Sequence, residues 1–531
     1  MKDQYILIGG AWPYVNSFLH LGHVAGLISG DILARYYRTK GYHVAYVSGS
    51  DCHGTPITQR AKKEGKSPKE IADYYDQKAR ETLEAMHFSY DLYTNTDTDY
   101  HRKEVMKIFK QIYDNGYIYE KFEPQAYCPK CEKFLSDRDI QITCPVCGTL
   151  TKADQCDGCG HVPTVENLIG GTCLNCGTKT IEKENKNLYF ALSKFQKQIE
   201  EHTAKVNHEW RVNAKNETAK YLREGLIDRA VTRDLDWGVD IPLPNYENKK
   251  MYVWIEAVLG YITATKKWCE TSGLNWEEFL KKSDHNKIYM VHGKDNIVFH
   301  SIIYNGLLLA LEDNYRLVDT IVSSEYLNIN DEKISKSKGN GVPALELAQQ
   351  YNADSLRFHL INNGPEKKDS NFTLDNYFAT HNNEILNKFG NLVNRTLKFK
   401  GLEVLPQGNM DEEMKEKITQ TYEKVGEAIE KLEFKEATDL VMNLVEEANK
   451  YYDNRQPWKQ KKEDEVGFQD TIYTCSIIIA NLSNLFEPFM PDASRKLREY
   501  FQIEEPIWEY IEPKDLEKIE LTKIEPLFTR I

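Results

Sequence analysis

Apolar and polar residues along the first 50 positions follow the pattern of a strand, a helix and a second strand. YILIGG at 5–10 is a short apolar run, and HVAYVSGSD at 43–51 is a second buried run that ends in an acid. The helix predicted over 21–40 has one apolar face, made of Val24, Leu27, Ile28 and Ile32. This βαβ unit predicts a parallel sheet that binds ligands at the carboxyl ends of its strands.

A similar alternation returns late in the chain and then gives way to helical periodicity. Residues 287–295 predict a strand, 297–312 an apolar helix and 316–324 another strand. From about 381 onward the period is helical, with one apolar face made of Ala437, Leu440, Val441, Leu444, Val445 and Ala448. The predicted fold class is therefore α/β: a Rossmann-like parallel-sheet domain, split by a long insertion and followed by an α-helical bundle.

The composition describes a chain that buries sizeable cores and carries more acid than base. Of 531 residues, 41% are hydrophobic and 28% are charged, and 68 Lys and Arg against 81 Asp and Glu give a net charge of −13. This excludes a polybasic nucleic-acid binder, so any polyanion must be met by local basic patches. No basic start leads into an apolar run, and no run approaches the ~18 residues of a membrane span. We expect a cytoplasmic protein with no membrane partner.

Two short segments carry residues suited to phosphate. In DEKISKSKGN at 331–340, three lysines lie among serines and a glycine, although such a run by itself is more often a solvated turn. In FLHLGH at 18–23, two histidines flank a glycine at the start of the first helix, where backbone N–H groups and the helix dipole attract anions. Paired histidines there are more often structural when alone. The two segments together, each after a strand of the same pattern, are a far more specific signal.

These segments resemble the HIGH and KMSKS signatures of class I aminoacyl-tRNA synthetases, with Ile in place of Met in the second. The resemblance implies that His20, His23, Lys333 and Lys336 are catalytic in an ATP-dependent activation. It implies an ATP site, used with Mg²⁺, formed by His20, Gly22, His23, Gly293, Asp295, Lys333 and Lys336. These residue types suit the reaction because charge develops on phosphoryl oxygens during attack on the α-phosphate.

Five runs in order resemble the methionyl-tRNA synthetase family: AWPYVNSFLHLGH (11–23), GSDCHGTP (49–56), YVWIEAVLGY (252–261), HGKDNIVFH (292–300) and KISKSKGN (333–340). The resemblance implies ligation of L-methionine to tRNA(Met) through methionyl-adenylate, with release of AMP and pyrophosphate. It places Asp51 at the substrate ammonium and gives the side-chain pocket as Trp12, Tyr14, Trp254, Ala257, Tyr261 and His300. Aromatic walls suit a polarisable thioether.

Three positions depart from the pattern of the resembled family. Trp12 stands in place of a smaller apolar residue, Glu256 in place of Asp, and Val258 in place of Pro. All three border the expected methionine pocket. We therefore expect a pocket of altered shape and inhibitor sensitivity.

Four C-x-x-C pairs lie within residues 128–176. Disulfides are rare in a reducing compartment, so the clustering predicts zinc, and eight thiolates make two tetrahedral structural sites. Spacing favours a nested arrangement, as in two-zinc members of the resembled family, with neighbouring motifs paired as the alternative. In the nested arrangement the first zinc is bound by Cys144, Cys147, Cys156 and Cys159, and the second by Cys128, Cys131, Cys173 and Cys176.

The helical region carries a candidate RNA-binding surface. Asn391 and Arg395 are four residues apart and point away from the apolar stripe of their helix. Pro457 and Trp458 lie beside a basic run, and single-stranded bases are recognised by stacking and edge contacts. Such residues are more often solvated or packed at a helix start. The resemblance implies instead that these four residues read the CAU anticodon of tRNA(Met).

The resemblance and the pattern together divide the chain into five expected regions. They are the first half of a Rossmann catalytic domain (1–115), a connective insertion with two zinc knuckles (116–245), the second half of the catalytic domain (246–330), the KISKS loop and stem-contact region (331–380) and an α-helical anticodon-binding domain (381–531). A monomer is expected. Three alternatives stay open: a nucleotidyltransferase acting on smaller molecules, a class I synthetase for another apolar amino acid, and a catalytically silent RNA-binding paralogue.

Overall fold

The computed structural model describes residues 3–135, 139–153, 156, 158–159, 161, 163–330, 332–333, 343–514 and 516–531. The N-terminal elements are β1 (Tyr5–Gly10), α1 (Leu21–Thr39), β2 (His43–Ser50), α2 (Thr55–Glu64), α3 (Pro68–Ala85), β3 (Leu92–Asn95) and α4 (Asp99–Asp114). The strand, helix and strand predicted over residues 5–51 are confirmed to within one residue at each end. Side-chain caps fix the later helix starts, since Ser67 accepts from the Glu70 amide and Thr98 from the His101 amide.

The described part of the insertion contains two long strands, several short ones and three helices. Its elements are β4 (Ile118–Cys128), β5 (Lys133–Phe134), β6 (Ile140–Thr143), β7 (Leu150–Lys152), α5 (Val165–Leu168), β8 (Thr172–Cys173), β9 (Ile181–Phe190), α6 (Gln196–Val206), α7 (Val212–Glu224), β10 (Arg229–Ala230), β11 (Thr232–Arg233) and β12 (Lys250–Met251). The long antiparallel pair β4 and β9 forms its stem, and β6, β7 and β8 form a small sheet at the cysteine segment.

The second half of the sheet domain follows the insertion. Its elements are α8 (Val253–Ser272), α9 (Glu277–Leu280), β13 (Asn286–Gly293), a π-helical turn (Phe299–Ile303) leading into α10 (Tyr304–Ala310), β14 (Thr320–Ser324), β15 (Leu327–Ile329), β16 (Glu332–Lys333), α11 (Ala344–Gln350), α12 (Ala353–Asn362) and β17 (Ser370–Phe372). The strand predicted from 316 begins at Thr320. The Asp319 carboxylate accepts from the Ile288 amide at 2.8 Å and from Arg316 Nε at 2.7 Å, and residues 316–319 have no regular secondary structure.

One parallel sheet unites the two halves of the catalytic region in the order β14-β13-β1-β2-β3. β1 pairs with β13 on one side and with β2 on the other. Ile6 and Ile8 pack with α1 and the helical region, whereas Leu7 packs on the opposite face with α8. Both faces of the sheet are covered, as parallel sheets require, and the predicted α/β class is confirmed.

The C-terminal region is helical. It comprises α13 (Leu374–Ala379), a π-helical segment (Thr380–Gly390) continuing into α14 (Asn391–Leu397), α15 (Glu412–Glu430), α16 (Phe434–Arg455), α17 (Pro457–Glu463), α18 (Glu465–Leu485) and α19 (Pro491–Phe501). Short 3₁₀ turns occur at Leu192–Phe195, Asn207–Glu209, Lys294–Asn296, Leu516–Lys518 and Leu521–Lys523. Within the ranges given above, no helix combines the length and apolar character that a membrane crossing requires.

A buried ion pair joins the sheet domain to the helical region. Arg357 of α12 is fully buried and lies 2.6 Å from the Asp31 carboxylate of α1. The same guanidinium donates to the backbone oxygens of Pro488 and Phe489, each at 3.2 Å. The pKa of Asp31 lies well below its usual range, because Arg35 and Arg357 more than offset the effect of burial. The pair therefore fixes α1 against the helical region.

Candidate active site

A cavity of about 400 Å³ opens at the carboxyl ends of β1, β2, β13 and β14. Twelve of the residues predicted for ATP or methionine line this one cavity: Trp12, Tyr14, His20, Gly22, His23, Asp51, Trp254, Ala257, Tyr261, Gly293, Asp295 and His300. A parallel sheet places loops from distant parts of the chain at one edge. The strand order therefore explains how residues nearly 300 positions apart meet.

The two histidines of the HLGH segment are held by the backbone at the start of α1. His20 Nδ1 accepts from the Gly22 amide and His23 Nδ1 accepts from the His20 amide, both at 3.1 Å. The rings lie 3.8 Å apart between centroids. In a neutral imidazole whose Nδ1 accepts, the proton is on Nε2. Each ring therefore offers an Nε2–H donor at a helix N-terminus, where an anion is favoured.

The segments on both sides of the lysine loop lie close to this helix start. Lys333 is in β16 and pairs with Asn328 of β15, and Leu327 of β15 lines the cavity. Pro343, where the described chain resumes, forms a backbone bridge with His20. Lys336, with residues 334–342, lies outside the described residues.

A third group of cavity residues lies at the end of β13. Gly293 and Asp295 line the cavity, and Tyr326 donates a hydrogen bond to the Asp295 carboxylate. Lys294 is directed elsewhere, to Glu325 at 2.7 Å and Asp369 at 2.8 Å. Asp295 is therefore the charged side chain that the 293–295 turn contributes to the cavity.

One face of α8 forms an aromatic wall. Trp254, Ala257 and Tyr261 follow the spacing of a single helix face, and Trp254 stacks on Phe299 at 4.3 Å between centroids. Tyr261 donates to His300 Nε2 at 2.8 Å, because His300 Nδ1 donates to the Asn296 carbonyl. Burial lowers the pKa of His300 to about 4 and raises that of Tyr261 well above its usual range. The wall is therefore uncharged, and the stacking of Phe299 on Trp254 is a contact that the sequence pattern did not reveal.

Trp12 occupies a slot that two glycines create. A side chain at Gly49 of β2 or at Gly260 of α8 would collide with the Trp12 ring. The ring also lies edge-on to Tyr261 at 6.4 Å. The unusual Trp12 is therefore accommodated by small residues facing it from both sides. The sequence did contain a signal of this arrangement: position 12 carries a larger residue than the family pattern, and two other motifs contain glycines.

Asp51 lies at the end of β2 and is only 3% exposed. Its amide donates to Pro13 O at 2.9 Å and its carbonyl accepts from the Val15 amide at 3.1 Å, which ties it to the loop that carries Tyr14. Burial, and then the nearby Glu256 carboxylate, raise the pKa of Asp51 well above its usual range. A buried acid of this kind is suited to pair with a cation.

The eight cysteines of the insertion form two groups of four. One contains Cys128, Cys131, Cys173 and Cys176, and the other Cys144, Cys147, Cys156 and Cys159. The closest sulfur pairs within them are 3.4 to 3.9 Å apart. Four sulfurs ~2.3 Å from one tetrahedral ion would be roughly 3.8 Å apart, so the geometry fits zinc. Gly148 and Gly177 follow the second cysteine of two pairs with φ of 73° and 74°, which closes each turn.

The predicted anticodon residues lie on two helices, beside an aromatic side chain from a third. The Arg395 guanidinium of α14 stacks 4.1 Å above the Tyr452 ring of α16 and pairs with Asp453 at 2.7 Å. Trp458, next to the buried Pro457 that begins α17, is 47% exposed and 6.3 Å from Tyr452. Exposed Asn391 lies one turn before Arg395. The sequence analysis did not predict that Tyr452 belongs to this surface. The Tyr-Tyr pair at 451–452, shortly before Pro457-Trp458, could have indicated it.

Comparison with protein families identifies two regions of similarity. The model described as tRNA synthetases class I (M) matches residues 6–397, and the model for the anticodon binding domain of methionyl tRNA ligase matches 404–528. The chain is 46% identical to a methionine–tRNA ligase of Bacillus mycoides, over 99% of this chain and 96% of that protein. It is 44% identical, with the same coverage, to methionine–tRNA ligase 2 of Bacillus cereus ATCC 14579.

Solved structures show the same fold. Methionyl-tRNA synthetase of Mycobacterium tuberculosis in complex with methionyl-adenylate matches with a TM-score of 0.80 at 22% identity. The match covers 99% of this chain and 100% of that one.

Proposed function

The chain belongs to the methionyl-tRNA synthetases, the class I ligases that activate methionine with ATP and join it to tRNA, and we propose that methionyl-adenylate forms in the cavity at the sheet edge. The protein activates methionine and charges tRNA. The observation that carries the proposal is that twelve predicted site residues line one cavity. They come from the first four of the five motif runs. The M. tuberculosis relative of the same fold was solved with methionyl-adenylate.

The ATP end of the cavity is assigned to the start of α1 and the turn after β13. His20 and His23 would donate from Nε2 to phosphate oxygens, with the Gly22 backbone and the helix dipole adding to the field. Gly293 and Asp295 would lie at the sugar. Lys333 and Lys336 would approach the leaving pyrophosphate, and Mg²⁺, which class I synthetases use with ATP, supplies further charge neutralisation.

The methionine end is assigned to Asp51 and the aromatic wall. Asp51 would pair with the substrate ammonium, and Tyr14, Trp254, Ala257, Tyr261 and His300, with Trp12 beneath, would enclose the thioether. Neutral aromatic rings favour a polarisable sulfur. With both substrates held in one cavity, the methionine carboxylate would attack the α-phosphate in line, and the protein would contribute chiefly positioning and electrostatics.

The remaining assignments concern the insertion and the helical region. Each cysteine group would hold one structural zinc, because four sulfur ligands leave no open coordination position. Asn391, Arg395, Pro457 and Trp458 would read the CAU anticodon, with Arg395 already stacked on Tyr452 and Trp458 exposed for base stacking. A monomer, a cytoplasmic location and the five region boundaries stay predictions.

ATP–pyrophosphate exchange, run with each of the twenty amino acids, tests the proposal. We expect exchange with methionine alone. Exchange with a different apolar amino acid would point to another class I specificity. No exchange with any amino acid, in folded and metal-loaded protein, would instead support the catalytically silent RNA-binding paralogue.

A further inference from the structure

A chain of buried charged residues lies directly behind Asp51. His53, two residues after Asp51, places Nδ1 2.5 Å from the Glu256 carboxylate of α8 and Nε2 3.3 Å from the Asp97 carboxylate. Arg102 of α4 completes the chain with a hydrogen bond to Asp97. Glu256 and His53 are 0% and 1% exposed. The methionine pocket therefore rests on an ionic layer whose members come from three separate segments of the chain.

The carboxylates beside the cavity have fewer hydrogen-bond partners than they can accept. The second carboxylate oxygen of Glu256, Oε2, is buried and makes no hydrogen bond within the described part of the chain. The Asp51 carboxylate receives only a long bond, 3.4 Å, from the His53 amide. A buried carboxylate that lacks partners carries a large desolvation cost. Glu256 Oε2 and the Asp51 carboxylate could thus both interact with one further cation, in addition to the His53 ring that contacts the other oxygen of Glu256.

The charges of the cluster can be counted. Burial disfavours the charged form of His53, but the Glu256 and Asp97 carboxylates outweigh it and raise its pKa to about 9, against the opposing effect of Arg102 at 2.9 Å. Near neutral pH, two cations, His53 and Arg102, thus face three carboxylates, Asp51, Glu256 and Asp97. The cluster is neutral if one carboxylate holds a proton, and it is also neutral if all three are ionised and one further cation binds.

Groups on the surrounding elements do not change this count. His101 of α4 is neutral, because burial lowers its pKa to about 3, and burial keeps the Cys52 thiol protonated by raising its pKa. Lys69 bonds to Asp97, but it is exposed and also bonds to Asp73, so this pair adds one cation and one carboxylate and leaves the net charge unchanged. Asp76 pairs with Arg80, and Asp295 accepts a hydrogen bond from Tyr326. None supplies the missing cation inside the cluster.

We propose that the methionine ammonium binds to this whole cluster, with Glu256 and His53 as positioning residues, and that its arrival expels to solvent a proton that Asp51 holds in the empty site. The inference rests on the proposed role of Asp51. It adds that Glu256 is the second carboxylate that keeps the proton on Asp51. Burial of Asp51 and the nearby Glu256 carboxylate both favour the protonated form, and the pKa of Asp51 is raised in that direction.

The sign of the pH dependence follows from the direction of proton movement. Because binding releases a proton, the methionine affinity increases as pH rises, by up to about tenfold per pH unit for one full proton. The useful window lies below the pKa of His53, about 9, since loss of the imidazolium charge removes part of the cluster. We expect the rise between pH 6 and 8.

Isothermal titration calorimetry of the metal-loaded protein with L-methionine measures the proton directly. Titrations at one pH in two buffers of different ionisation enthalpy give the number of protons released per methionine bound. We expect a clear fraction of a proton, up to one, at pH 7. Tight binding with no proton release at any pH from 6 to 8 would overturn the inference while leaving the proposed function intact. No methionine binding at all would instead contradict the proposed function.

Two variants and one analogue locate the proton. In Glu256→Gln we expect less than half of the wild-type proton release at pH 7, because Asp51 no longer faces a second carboxylate. Glu270→Gln, a control at the exposed end of the same helix, should release as many protons as wild type.

4-(Methylthio)butanoate, which lacks the ammonium, should bind without proton release. Equal release by Glu256→Gln and wild type, or release on binding the analogue, would contradict the inference. If Glu256→Gln does not fold, the wild-type and analogue titrations still decide.

Discussion

The cavity at the sheet edge and the anticodon face of the helical region hold their functional groups in opposite ways. In the cavity, Asp51 and His300 are almost fully buried; backbone hydrogen bonds hold the main chain of Asp51, and Tyr261 and the Asn296 carbonyl hold the His300 ring. On the helical face Trp458 is half exposed, and Arg395 is shared between Tyr452 and Asp453. Buried groups act through electrostatics in a low dielectric, whereas an exposed ring acts through stacking. Changes in the first region should therefore alter chemistry, and changes in the second should alter only tRNA binding.

Removal of metal from the insertion is the largest perturbation that separates the two regions. A structural zinc contributes ~10 to 16 kcal/mol to folding, so chelation should unfold the insertion and reduce exchange while anticodon stem-loop RNA still binds. Metal analysis should give two zinc ions per chain. Cys144→Ser should lose one of them, and Cys269→Ser, a buried cysteine outside both groups, should keep both. About one metal per chain in the unchanged protein would contradict two sites.

The buried ion pair at Arg357 tests whether the two regions are stabilised together. Arg357→Met removes one partner of Asp31 and should lower the free energy of unfolding by ~3 to 5 kcal/mol, measured by urea titration. Arg495→Met removes an exposed arginine that pairs with Asp492 and Glu499, and it should cost at most ~1 kcal/mol. Similar losses in both variants would show that burial of the Arg357 pair is not what joins the regions.

Loss of one phosphate donor should affect the cavity alone. His23→Ala removes an Nε2–H donor at the start of α1, and we expect exchange to fall roughly 10² to 10³-fold, as for loss of one preorganised donor elsewhere. Binding of anticodon stem-loop RNA should not change. His208→Ala, a surface histidine, is the matched control. Thermal melting must accompany the assay, because His23 also caps the helix. Unchanged exchange in a stable variant would remove His23 from the proposed ATP site.

The smallest effect is expected on the helical face. Trp458→Ala should weaken binding of anticodon stem-loop RNA by ~1 to 3 kcal/mol, the range for loss of one stacked base, and should leave exchange intact. Phe122→Ala removes an aromatic ring of the insertion that is even more exposed than Trp458, and it should leave binding of this RNA unchanged. A loss of exchange in Trp458→Ala would show that the ring is structural and that the two regions are coupled.

Motifs tied to backbone geometry were accessible from the sequence. HLGH at a helix start, an acid at the end of a strand and C-x-x-C pairs with following glycines each depend on contacts within a few residues. The end of an element was less accessible when a distant side chain set it. Residues 316–319 looked like strand, but the Asp319 side chain accepts from the Ile288 amide of β13, and residues 316–319 have no regular secondary structure.

The sequence alone determined the α/β class, the helical C-terminal region, the family and the candidate residues, because local periodicity and short motifs carry that information. Only the tertiary structure decided which side chains share a site. The order β14-β13-β1-β2-β3 placed Trp12 between Gly49 and Gly260, and set Glu256 of α8 against His53 behind Asp51. The contact between His53 and Glu256 joins residues 203 positions apart, and the burial of these two side chains helps to set the charge of the site. No local pattern records them, because the free energy of a buried charge depends on every element packed around it.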